Sequence, residues 1–161
     1  MKNRLLLIAV VMLMSAAIAV CAAGSKTTKY FAQLSGKKEV PAVTTKAKGE
    51  ATFNISKNAA SISYTIKVSS LKGAVAAHIH SGAVGMNGPV VVDLYPASAK
   101  AAHKGNVLVK GVITKASLAG PLKGKKMADL IKAMKSGDTY VNVHTDAHME
   151  GEIRGWIMPK K

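Results

Sequence analysis

Three histidines in this chain have the spacing of a metal site. His78 and His80 flank Ile79. Side chains alternate across a strand, so the two imidazoles share one face while Ile79 points away. His144 lies in a second alternating run, where Val141 and Val143 suit a core and Tyr140, Asn142 and His144 take the other side. A His-x-His pair and one histidine from another strand can bring three imidazoles to one ion and leave a position open. Imidazole suits copper, zinc and nickel. His148 and Met149, expected in the loop after this run, could add a nitrogen or a soft sulfur. The competing reading is a polar network, in which the same histidines bond to Glu152, Asn142 or backbone and no ion is held.

Arg154 is the second candidate. Lys and Arg number 23, and beyond the N-terminal segment Arg154 is the only arginine. A solvated charge is served equally well by lysine, so an arginine here points to a planar, multi-donor role. Two roles fit. In one, Arg154 pairs with Glu152 or Asp146 and steadies a hairpin; in the other it faces the open position of the ion and recruits an anion.

These side chains need strands to hold them. Ser61 to Val68 alternates cleanly, with Ile62, Tyr64, Ile66 and Val68 on one face, the pattern of a half-buried antiparallel strand. Runs at 29–34, 49–56, 74–80, 89–95, 106–113, 139–145 and 151–158 complete a set of eight strands. Met127, Leu130, Ile131 and Met134 have helical spacing, and Gly137 is placed to end that helix. The expected fold is all-β: an antiparallel Greek-key or immunoglobulin-like sandwich of about eight strands with one short helix. Its core should contain Phe53, Ile55, Ile62, Tyr64, Ile66, Val90, Val92, Val141, Val143 and Ile153. If the strands bearing His78, His144 and Arg154 are neighbours, one outer surface gathers His78, His80, Asn142, His144, Glu152 and Arg154.

Composition narrows the setting. Lys2 and Arg4, an apolar run from Leu5 to Val20 and small residues up to Gly24 predict a signal peptide over residues 1–23 and a single domain over 24–161. The run has 16 residues, short of the roughly 20 that span a bilayer. Membrane attachment would follow only from retention of this segment or lipidation at Cys21, and Val20 is bulky where a lipoprotein signal wants a small residue. The remaining domain has no cysteine, so neither disulfides nor thiolate metal ligands are available to it. The net charge of +15 comes from scattered lysines. That argues against a nucleic-acid reader, which favours arginine, and is compatible with contact to anionic cell-surface polymer. The glycines of SGAVGMNG precede a strand rather than a helix, so they make no phosphate cradle. His103, beside Lys104, reads as a solvated loop residue.

The stretches LSGKKEVPAV (34–43), AHIHSGAVGMNGPVVVDLY (77–95) and GDTYVNVHTDAHMEGEIRGWI (137–157) carry a resemblance. In order and content they are similar to the CHRD domain, named for chordin and found in many bacterial secreted proteins, over about residues 31–158. The resemblance implies an immunoglobulin-like β-sandwich in a secreted or periplasmic protein of the cell envelope, and it implies no defined activity. Chordin's growth-factor binding belongs with cysteine-rich modules that have no counterpart here. A more distant likeness is to copper-zinc superoxide dismutase. His78-Ile79-His80, Val143-His144 and Arg154-Gly155 follow the order of its copper pair, late copper histidine and anion-guiding arginine. The bridging histidine, zinc loop and disulfide of that enzyme are missing. Three functions are therefore open: an extracytoplasmic module that binds a metal, copper foremost, for sequestration or delivery; a structural or adhesive domain without metal; and a copper-only, dismutase-like oxidoreductase. Enzymatic activity stays undecided, with a binding module favoured.

Overall fold

The computed structural model describes residues 28–95 and 107–160. Residues 1–23, where a signal peptide is expected, and His103 lie outside the described residues. Among the described residues, nine strands and one α-helix are formed: β1 (Lys29–Ser35), β2 (Lys48–Ile55), β3 (Ile62–Ser69), β4 (Ala74–Ser81), β5 (Val90–Tyr95), β6 (Val107–Ile113), α1 (Met127–Ser136), β7 (Thr139–Thr145), β8 (His148–Trp156) and β9 (Met158–Pro159). All pairings are antiparallel. The strand order is β5-β4-β7-β8-β1-β2-β3-β6, with β9 added to β1.

This path curls until its ends nearly meet, giving a barrel-like sandwich. The segment after β6 closes the gap, since Leu118 bridges to Val92 and Ala119 N–H donates to the Val91 carbonyl at 2.8 Å. Across the interior, Tyr64 Oη donates to the Leu94 carbonyl at 2.7 Å. That bond satisfies a phenol that burial would otherwise leave unpartnered.

Alternation builds the first half of the sheet. In β3, Ile62, Tyr64, Ile66 and Val68 are buried while Ser63, Lys67 and Ser69 are exposed. They pack with Phe53, Ile55, Ile79, Val92, Val141, Val143 and Ile153 in one continuous core. Burying each such aliphatic side chain contributes about 1.5–3 kcal/mol. The helix adds Met127, Leu130, Ile131 and Met134 to the same core. It stops at Gly137, whose φ of 76° is left-handed and whose N–H bonds the last turn.

Three expectations change. Val90 is half-buried, because the β4–β5 pairing shifts register next to His80 and carries Val91 and Val92 into the core together. The last predicted strand starts three residues earlier and breaks at Ile157, which separates β8 from β9 and makes nine strands. The predicted outer polar surface is covered: every residue of β7 is buried.

Candidate metal centre

The cover over β7 and β8 comes from the chain between β1 and β2. Ser35 pairs with Arg154, which turns the following segment across the sheet. The segment is then fastened by side chains. Arg154 Nε donates to Glu39 Oε2 at 2.5 Å, and both residues are almost fully buried. Thr45 Oγ1 donates to Glu152 Oε1 at 2.6 Å, while Thr145 Oγ1 donates to the other oxygen at 2.8 Å. Asn87 Nδ2 reaches the Val40 carbonyl at 2.9 Å and ties in the loop between β4 and β5. Arg154 therefore pairs with Glu39, and neither Glu152 nor Asp146 is its partner as expected. Its guanidinium also lies over the Tyr140 ring, 4.6 Å from the centroid.

Beneath this cover the three histidines meet. β4 pairs with β7 so that His80 stands opposite Tyr140 and Ala76 opposite His144, with a bulge beyond. The candidate ligand nitrogens of His78, His80 and His144 lie within 4.8 Å of one another. His78 Nδ1 is 3.0 Å from His144 Nε2. His80 stacks on Tyr140, with ring centroids 4.9 Å apart and planes 8° from parallel.

Two of the three rings are pinned by main-chain carbonyls. His80 Nδ1 is 2.8 Å from the Gly88 carbonyl, and His144 Nδ1 is 2.8 Å from the Met149 carbonyl. A carbonyl oxygen only accepts, so both Nδ1 atoms carry the proton and both Nε2 atoms present a lone pair. His80 Nε2 is buried with no hydrogen-bond partner in the protein. Gly88 is essential to this arrangement: a Cβ there would fall 1.6 Å from the Ser81 carbonyl oxygen. Its N–H donates to Tyr140 Oη at 3.1 Å, so one residue positions both members of the stacked pair. Gly151 plays a similar part under Asn142, since its φ is 129° and a Cβ would lie 2.4 Å from Asn142 Oδ1.

All three imidazoles are held neutral. Burial lowers the pKa of His80 to about 4; the Gly88 hydrogen bond opposes this, and the charge of Arg154, with that of His78 or His144 when either is protonated, reinforces it. Burial also lowers His144 and His78, and at His78 the nearby Asp93 carboxylate acts in the opposite sense. Burial likewise pushes the Glu39 carboxyl up, against the pull of Arg154. Neutral imidazoles are what a metal ion requires, and those of His80 and His144 present Nε2 lone pairs.

His148 lies apart from this group. It opens β8 rather than a loop and lines a separate cavity of about 330 Å³ with Glu39, Val40, Pro41 and Met149. Glu39 and Gly88 were not expected from sequence; Tyr140 was expected on this face, though not its stacking on His80. Glu39 had one visible signal, being the only acidic residue between Lys29 and Gly49.

A nearly closed antiparallel sandwich with a covered, histidine-bearing polar face defines the class of this protein. Within that class its sequence matches the family model of the CHRD domain over residues 30–157, so the chain belongs to the CHRD domain family. No curated protein and no solved structure gives a match, and the likeness to superoxide dismutase gains no support from them. CHRD domains occur in extracellular and secreted proteins. Among the described residues, no helix is long and apolar enough to cross a membrane.

Proposed function

We propose that this CHRD domain is an extracytoplasmic metal-binding module that takes one copper ion on His78, His80 and His144, for sequestration or delivery. The observation that carries the reading is the buried, unpartnered Nε2 of His80 beside two further imidazole nitrogens. Leaving a buried polar atom unpartnered costs about 1–3 kcal/mol, and a bound cation would remove that cost. Two main-chain carbonyls fix the tautomers that direct Nε2 to the centre, the outer support that metal-bound histidines usually have. With no thiolate available the donors are all nitrogen, and among divalent ions such a set favours copper over zinc. The secretory pattern of the first 23 residues supports export.

Titration of the purified protein with Cu²⁺ and Zn²⁺ tests the proposal. One saturable site is expected, tighter for Cu²⁺, and it should be lost in His78→Ala, His80→Ala and His144→Ala. His148→Ala should bind like the parent. No saturable site in the parent would leave the polar-network reading in possession.

A further inference from the structure

His78 differs from the other two histidines. Its Nδ1 faces His144, and its Nε2 faces a side chain rather than a carbonyl: Asp93 Oδ1, at 3.5 Å. This approach is set by the strands, because His78 and Asp93 stand directly opposite in the β4–β5 register. Directly opposed residues bring their Cβ atoms to about 4.5–5.5 Å. The Asp93 side chain is 63 % exposed and that of His78 21 % exposed, so the pair sits at the rim of the buried centre.

The proton positions follow from donor and acceptor chemistry. His144 Nδ1 must donate to the Met149 carbonyl, so in the neutral ring Nε2 is an acceptor. The 3.0 Å contact to His78 then requires the proton of His78 to sit on Nδ1. In that tautomer, Nε2 turns a lone pair toward a carboxylate, an unfavourable meeting. Moving the proton from Nδ1 to Nε2 frees Nδ1 as a ligand and gives Asp93 a donor. The ring stays neutral, and the proton count does not change.

We propose that Asp93 is a positioning residue for the metal centre, holding His78 as its Nε2–H tautomer once an ion has taken Nδ1. Metal entry exchanges a histidine–histidine hydrogen bond for a histidine–carboxylate one, so the site has a closed metal-free form. This rests on the metal-binding reading given above. Outer partners of metal-bound histidines change affinity by about 10–100-fold, and the exposure of Asp93 places it at the lower end.

The test uses Zn²⁺, which is diamagnetic, with the parent, Asp93→Ala and Asp93→Asn. Imidazole ¹⁵N shifts should show His78 protonated on Nδ1 without metal and on Nε2 with it. Asp93→Ala should bind Zn²⁺ about tenfold more weakly. Asp93→Asn, whose amide oxygen still accepts a hydrogen bond, should lose less. Parent-like affinity in Asp93→Ala, or a zinc-loaded parent whose His78 keeps its proton on Nδ1, overturns this role and leaves the three-histidine site standing. A parent that takes up neither Zn²⁺ nor Cu²⁺ overturns the site and this role together.

Discussion

The two halves of the sheet obey different rules. In β3, buried and exposed residues alternate, and the polar side chains of the second face meet solvent. In β7 the same alternation of valine with polar residues gives seven buried positions out of seven. The cause is outside the strand: the segment between β1 and β2 folds over β7 and β8 and is fastened there by Glu39 and Thr45. A period of two says which residues share a face and nothing about what covers that face. Where the cover is protein, polar residues must find partners or carry a function.

The largest test of this contrast is Arg154→Ala. It leaves Glu39 as an uncompensated buried carboxylate, and removal of one partner of a buried pair costs about 3–5 kcal/mol. Chemical denaturation should report that loss. Arg154→Lys should recover part of it, because the charge returns without the planar contact to Tyr140. A cost near zero for Arg154→Ala would mean that the cover is not held by this pair.

Acid comes next. The folded pKa of His80, about 4, lies below the ordinary 6.5. Between those values the unfolded chain binds a proton that the folded chain refuses. Stability should therefore be complete above about pH 6.5 and fall as the pH drops toward 4. At about 1.4 kcal/mol per pH unit the loss is about 3 kcal/mol from this residue. His78 and His144 are lowered too and act in the same direction. Denaturation midpoints of the metal-free protein between pH 4 and 7 measure it, and His80→Gln should flatten the profile.

The smallest expected effect is in the other half. Lys67→Ala changes an exposed residue of β3 and should shift stability by no more than about 0.5 kcal/mol. A cost as large as that of Arg154→Ala would erase the distinction between the halves.

What the sequence made legible follows the same division. Ile62 to Val68 and the Met127–Met134 spacing are local patterns, and the strand and helix they predict are present. The likeness of three long stretches to the CHRD domain is matched by a family assignment over residues 30–157. His78, His80 and His144 were legible as a set because face-sharing is local and only the neighbourhood of β4 and β7 had to be supplied. Glu39 was not legible, because it meets Arg154 across 115 positions through a segment with no periodicity. Its nearer acidic neighbours, Glu152 and Asp146, drew the expectation instead. Val90 failed for a related reason, since a register shift beside His80 breaks the alternation on which its placement depended.

The two carbonyls that hold His80 and His144 belong to Gly88 and Met149. Every residue type supplies the same carbonyl, so position 149 is free to vary in identity while its place along the chain is fixed. Met149, 65 % exposed, should accept almost any replacement without disturbing the ring it anchors. A one-residue deletion in the turn at 146–147 would instead carry the acceptor out of register with the ring. The specification of this centre is thus written partly in loop length, a quantity that counting residue types does not register.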